Sequence, residues 1–280
     1  MIIDAHQHFW DPMRGDYGWL TPDLPIHRVY GADDLQPLMR RAGVDGTILV
    51  QAAATVAETD YMLAIARRNP FVLGVVGWID LEAVDAPQQV HARCKDEHFL
   101  GVRPMLQDIP QADWILRPEL TPALAAIARE ALVLDALVLS HQIGVVGTLA
   151  QRHPDLAIVL DHAGKPRLGN GEAMAAWRRD IAPLAARPNV SCKISGLLTE
   201  LPPGAGTEHV TSAIHVLLDL FGPQRLLWGS DWPVLTLAGN YQDWFAMARD
   251  AITAQAPDAL DAIFGGNAAR IYRPSACMRC

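Results

Sequence analysis

Eight short runs rich in Val, Ile and Leu recur along the chain, each bounded by turn residues or by a helix-like segment. They are Ile2–His8, Thr47–Gln51, Val72–Ile79, Leu100–Met105, Leu132–Leu139, Ala157–Asp161, Val190–Ile194 and Leu226–Gly229. Apolar or β-branched residues fall on both faces of each run, as in parallel strands covered by helices. Helical spacing is read between them over Ala57–Asn69, Val146–Arg152, Met174–Ala186 and His209–Leu220. Pro122–Ala131 reads as a further helix, with Thr121 as N-cap and Pro122 at the first helical position. Asp258–Phe264 and Asn267–Tyr272 close the chain as helices. This alternation predicts an α/β fold, a (β/α)8 TIM barrel. The rival, an open doubly wound sheet, usually carries a glycine-rich phosphate loop after its first strand. Here the first strand runs instead into His6-Gln7-His8-Phe9-Trp10.

At 280 residues the chain has the length of one large barrel or of two ordinary domains. Its glycines and prolines punctuate the apolar runs, and no linker or internal repeat interrupts the alternation. The expectation is therefore one barrel domain over residues 1–280, with about 274–280 as a flexible tail. The long connection from Asp11 to Tyr30 carries Trp19 and several prolines, which predicts an ordered loop beside the barrel mouth. A net charge of −8 argues against a nucleic-acid surface. No basic amphipathic helix, signal peptide or apolar run of membrane-spanning length is read, so the expected partner is a small molecule and the expected compartment the cytoplasm. Homo-oligomerisation is left open. Cys277 and Cys280 form a lone CxxC at the chain end, a weak zinc signal.

Three strand ends carry the chemistry. His6 and His8 stand two residues apart at the end of the first run, so both imidazoles project to one face, which suits a metal ion or an anionic intermediate. Leu160-Asp161-His162-Ala163-Gly164-Lys165-Pro166 ends the sixth run with several polar groups in one turn. Leu227-Trp228-Gly229-Ser230-Asp231-Trp232-Pro233 delivers a carboxylate at the end of the eighth, between two tryptophans. Each has a plainer reading, a hydrogen-bonded structural histidine or a turn-forming aspartate. Gln51, Trp78, Asp80, Arg103, His141, Lys193 and Ser195 lie at or near the ends of the other runs. Polar groups gathered at one end of every strand point to the end where barrel active sites form.

These motifs, with the opening Ile3-Asp4-Ala5-His6-Gln7-His8-Phe9-Trp10-Asp11-Pro12 and the closing Gly266-Asn267-Ala268-Ala269-Arg270-Ile271-Tyr272, resemble the amidohydrolase superfamily. The likeness is to its amidohydrolase-2 branch of sugar-lactonase-like proteins, and it runs from residue 2 to about residue 274. The resemblance implies that His6 and His8 are the strand-one pair that holds a divalent metal in many members. It implies that Asp231 handles the proton of the attacking water, that His162 is the strand-six histidine, and that His141 occupies the place of a strand-five histidine. Arg103 stands near the end of strand four, where no lysine is available to be carbamylated and bridge two metals.

The expected reaction is hydrolysis of a small lactone, such as L-fuconolactone or L-rhamnonolactone. Asp231 would act as general base, and His162 or protonated Asp231 would return a proton to the leaving alkoxide. One divalent ion, zinc first, held by His6 and His8 with help from His141 or Asp231, would stabilise the oxyanion; the alternative is the imidazoles with Arg103 and no metal. Gln51 and Lys193 are candidates for binding substrate, and Trp10, Trp78 and Trp232 for stacking on a sugar face. The rivals are a decarboxylase or an aromatic-catabolism lactonase of the same superfamily, and a non-catalytic ligand-binding barrel.

Overall fold

The computed structural model describes residues 1–273, so the Cys277/Cys280 pair and the expected tail lie outside the described residues. Eight parallel strands follow one another in chain order: β1 (Ile3–Gln7), β2 (Gly46–Val50), β3 (Val72–Gly77), β4 (Phe99–Val102), β5 (Val133–Ala136), β6 (Ala157–Leu160), β7 (Val190–Ile194) and β8 (Leu226–Trp228). The sheet closes on itself, because Asp231 N donates to His6 O (2.8 Å) and His8 N to Trp232 O (2.7 Å). The TIM barrel expected from the alternation is therefore the observed fold.

The helices are α1 (Ala32–Ala42), α2 (Val56–Ala66), α3 (Ala86–Arg93), α4 (Thr121–Arg129), α5 (Ile143–Arg152), α6 (Gly171–Ala185), α7 (Glu208–Phe221), α8 (Tyr241–Gln255) and α9 (Asn267–Tyr272). Three of them, α1, α3 and α8, were not read from the sequence. In α8 the buried stripe is Tyr241, Trp244, Phe245, Ala248, Ala251 and Ile252, aromatics and alanines in place of the Leu and Val that mark the other helices. Thr121 is the first residue of α4 and Leu120 stands at its N-cap, so the expected threonine cap does not form. Real caps appear elsewhere: Thr55 Oγ1 accepts from Glu58 N at the start of α2, and Asn240 Oδ1 from Asp243 N at the start of α8. No helix among the described residues is long and apolar enough to cross a membrane.

The barrel interior is layered. Its lower part packs Ile3, Ala5, Ile48, Val50, Leu73, Val133, Val159 and Leu227 with Ala268 and Tyr272, so α9 plugs the end where the strands begin. Above that apolar layer the interior turns polar, because β1 changes face. Asp4 pairs with Thr47 and Gln7 with Leu49, so three steps along β1 match two along β2. This bulge breaks the strict alternation, and His6 and His8 take the inward side that Ile3 and Ala5 occupy below them.

Candidate active site

His6, His8, His162 and Asp231 meet at the C-terminal end of the strands, all nearly or fully buried. Asp231 Oδ1 lies 3.2 Å from His8 Nε2, 3.6 Å from His6 Nε2 and 3.8 Å from His162 Nε2, and the Nε2 atoms of His6 and His8 are 3.2 Å apart. His8 Nδ1 stands 2.8 Å from Val50 O. A carbonyl can only accept, so Nδ1 carries a proton and the ring turns Nε2 toward the centre. His162 Nδ1 meets Ser195 Oγ at 2.9 Å. Two glycines make room for the imidazoles: a Cβ on Gly229 would sit 2.7 Å from His6 Cβ, and one on Gly196 2.5 Å from His162 Nδ1. The backbone is left-handed at both catalytic candidates, with φ of 51° at His162 and 58° at Asp231. Strained residues of this kind gather where a site over-determines them.

Burial sets the charge states. It would raise the Asp231 carboxyl, but the imidazoles of His162, His8 and His6 outweigh it and hold Asp231 below the usual carboxylate range. Burial lowers His162 to about 4, against the pull of Asp231 and Asp161. His6 falls well below its ordinary value through burial and the neighbouring Lys193 ammonium. At neutral pH the centre thus presents an ionised carboxylate beside neutral His6 and His162.

Behind these residues lies a group of buried charges that touch one another and His6. Lys193 is fully buried, ion-paired with Asp135, 3.0 Å from Asp161 Oδ1 and 3.1 Å from His6 Nδ1. Tyr272 of α9 donates to Asp135 Oδ1 (2.7 Å) from below. Asp161 is 3.3 Å from His6 Nδ1 and 3.2 Å from Arg103 Nη1. Asp4 accepts from Ser230 N (2.8 Å), His6 N (3.2 Å) and Tyr241 Oη (3.0 Å), which ties β1 to the turn that carries Asp231. Asp4, Asp135 and Tyr272 were not singled out as site residues, since each is a single polar letter inside an apolar strand or helix.

A cavity of about 210 Å³ opens above the centre, lined by His8, Arg103, His162 and Asp231 with Trp19, Gln107, Lys165 and Met105. That is well above the ~10–15 Å³ of such space that one water needs, so it has room for a small molecule. Lys165 Nζ donates to Gln107 Oε1 at 2.7 Å across one wall. Trp19 anchors its Nε1 on Ala52 O (2.7 Å) and remains 38% exposed, so it is the tryptophan that faces the mouth. A larger cavity of about 740 Å³ sits at the opposite end by Ile3, Phe245 and Phe264, away from the histidines.

Several expected site residues lie elsewhere. His141 follows β5 on an exposed turn and lines a groove between α5 and α6, apart from the cluster of His6, His8 and Asp231. Lys193 reaches inner carboxylates and has no exposed surface for a substrate. Gln51 is fully buried in the wall: its Nε2 donates to Arg103 O (2.7 Å), Arg103 Nη2 donates back to the Gln51 backbone carbonyl, and Gln51 Oε1 has no hydrogen-bond partner. Trp10 is fully buried, donating to Arg28 O (3.0 Å) and packing beside His8, and Trp232 packs on Phe9 and Tyr30. Trp78 is half-buried and does not line the cavity. Long apolar strand ends fill with tryptophan for packing as readily as for binding, and sequence cannot separate the two.

The Amidohydro_2 family model, described as amidohydrolase, matches residues 3–273. The chain belongs to this amidohydrolase family. It is 44% identical over 276 residues to an L-fucono-1,5-lactonase of Burkholderia ambifaria, covering 97% of this chain and 95% of the relative. An L-fucono-1,5-lactonase of Burkholderia multivorans is 37% identical over 284 residues, covering 96% and 95%. Among solved structures, an amidohydrolase from Burkholderia multivorans with bound zinc superposes with a TM-score of 0.93 at 35% identity, over 98% of this chain and 99% of that one.

The donor set of this amidohydrolase fits a divalent cation. Atoms about 2.05 Å from a tetrahedral zinc stand ~3.3 Å from one another. The edges between His6, His8 and Asp231 are 3.2, 3.2 and 3.6 Å. Nε2 of His8 and the carboxylate of Asp231 meet in that triangle at 3.2 Å, and such a contact in a dry site requires a proton or a cation between the two atoms.

Proposed function

We propose that this protein hydrolyses a sugar-acid lactone, L-fucono-1,5-lactone foremost, by attack of water on the ester carbonyl. The observation that carries the reading is the ionised Asp231 carboxylate, ringed by three imidazoles at the floor of a cavity with room for a small molecule. The full-length likeness to two L-fucono-1,5-lactonases supports the substrate class.

His6, His8 and Asp231 would hold one divalent ion, zinc by the chemistry of two imidazoles and one carboxylate. When bound, such an ion supplies Lewis acidity toward an oxygen and lowers the pKa of water. Asp231 accepts the proton of the attacking water on the carboxylate oxygen that would not be engaged by the ion, and the same carboxyl, now neutral, returns it to the departing alkoxide oxygen. Arg103 lines the cavity 3.4 Å from His6 Nε2 and places its guanidinium beside the carbonyl oxygen as charge develops there. With its depressed basicity His162 stays neutral and serves as a hydrogen-bonding wall held by Ser195, not as the main acid. Lys165, Gln107 and Trp19 supply polar groups and one flat apolar face for ring hydroxyls and C–H bonds.

A pH-indicator assay over a panel of aldonolactones tests the reading. Proton release from L-fucono-1,5-lactone is expected to be lost on thorough chelation and restored by zinc. Asp231→Asn is expected to lower kcat by about 10²–10⁴-fold while the thermal midpoint holds. Carbon dioxide release from aromatic acids without any lactone hydrolysis would overturn it in favour of decarboxylation. Activity of Asp231→Asn within a few-fold of wild type would return that carboxylate to a turn-forming role.

A further inference from the structure

At the other end of the barrel, three metal-ligating side chains converge on the outer surface. His91 lies in the last turn of α3, Cys94 caps that helix, and Glu130 caps α4. The three-residue spacing puts His91 and Cys94 on one helix face. Glu130 lies between them, one oxygen toward each: Oε1 is 3.1 Å from His91 Nδ1 and Oε2 3.3 Å from Cys94 Sγ. All three donor atoms fall within 4.8 Å of one another. Both helices end where β4 and β5 begin, so the cluster sits at the end opposite the His6/Asp231 centre and shares no residue with it.

We propose that His91, Cys94 and Glu130 form a second, solvent-open site for a borderline divalent cation such as zinc or cobalt, joining α3 to α4. The donor set, one imidazole, one thiol and one carboxylate, is of the kind that selects such ions over magnesium or calcium. Around a tetrahedral ion with bonds of about 2.0–2.1 Å to N and O and 2.3 Å to S, N···O and S···O separations come to ~3.3 and ~3.5 Å. The observed 3.1 and 3.3 Å run to different carboxylate oxygens, so the Glu130 carboxylate must turn to bring one oxygen to both partners, within a cluster whose donor atoms already lie within 4.8 Å of one another. Side-chain accessibility is graded suitably, with His91 59% and Glu130 21% exposed. Burial and the adjacent carboxylate push the Cys94 thiol up, a penalty that a cation in the cluster reverses as the thiol gives its proton to solvent. Among the described residues Arg129, with Nε 3.7 Å from Glu130 Oε1, is the guanidinium paired with that carboxylate, and the Lys95 ammonium acts on the Cys94 thiol.

The test uses the holoenzyme in a Cys277→Ser/Cys280→Ser background under a non-thiol reductant, titrated with Co²⁺. A thiolate-to-cobalt charge-transfer band reports thiolate ligation alone, so exchange at the His6/His8/Asp231 centre is silent. Cys192 is fully buried in the core and out of reach. The expected result is a band that saturates at one equivalent, vanishes in Cys94→Ser and needs at least tenfold more Co²⁺ in His91→Ala. Lactone hydrolysis should be unchanged in both variants. Absence of the band, its survival in Cys94→Ser, or identical titration of His91→Ala would each overturn the proposal and leave the cluster a hydrogen-bonded helix cap.

Discussion

Replacing Lys193 with Met separates an ammonium that serves the substrate from one that neutralises the barrel interior. Methionine keeps most of the length and removes the charge. It leaves Asp135 and Asp161, both without solvent exposure, short of their shared cation, although Asp161 keeps Arg103 and Asp135 keeps Tyr272. Breaking a buried pair by removing one partner costs about 3–5 kcal/mol. Unfolding entropy of about 2.1 cal/mol/K per residue, over 280 residues, is about 0.6 kcal/mol/K, so the thermal midpoint should fall by roughly 5–9 °C. Even beside Lys193, burial raises Asp135 to about 6. Without the ammonium it rises further. A carboxyl raised in the folded state stabilises at low pH and loses that contribution as pH climbs past its folded value. The deficit of Lys193→Met should therefore be smaller at pH 5 than at pH 8. Asp135→Leu added to Lys193→Met should recover part of the loss, since an apolar replacement of a buried pair is often neutral. The assay is thermal unfolding at both pH values beside KM and kcat on the lactone. A wild-type midpoint with a raised KM would refute the structural role and return Lys193 to the substrate.

Three further outcomes follow from the same geometry. Gly196→Ala forces a Cβ to within 2.5 Å of His162 Nδ1 at a φ of +62°, so kcat should fall at least tenfold, and left-handed strain of about 1–2 kcal/mol should lower the midpoint by roughly 2–3 °C; unchanged kinetics would show that His162 need not be held there. His162 takes its proton at about 4 in the fold, against 6.5 for an unperturbed imidazole, so its contribution to stability is complete above about pH 6.5 and is lost as pH falls toward 4; a denaturant-midpoint series in which His162→Gln shows the wild-type slope across that window would contradict the assignment. Trp19→Ala should raise KM with little change in midpoint, whereas Trp10→Ala should cost about 3–5 kcal/mol of stability, and the reverse pattern would exchange their roles.

Local periodicity determined the barrel and its working end. Eight apolar runs separated by helices demand parallel strands, and polar letters at the strand ends mark the mouth. The spacing of His6 and His8 was enough to put both rings on one face, because strand side chains repeat every two residues. What that period cannot state is whether a face looks into the barrel or toward a helix. The bulge in β1 decided it for the two histidines, and barrel closure decided it for Asp231, 223 residues away from its partner His8. The same limit explains the misplaced residues. His141 and Lys193 both lie at or near strand ends, yet one rides an exposed turn and the other is sealed beneath the site. Asp4, Asp135 and Tyr272 read as stray polar letters until closure brought a strand-five carboxylate, a strand-seven ammonium and a phenol from the last helix together. A buried charge is tolerated only where its counter-charge is also buried, and which residues are buried together is a property of the closed barrel, set by contacts between segments that the sequence keeps far apart.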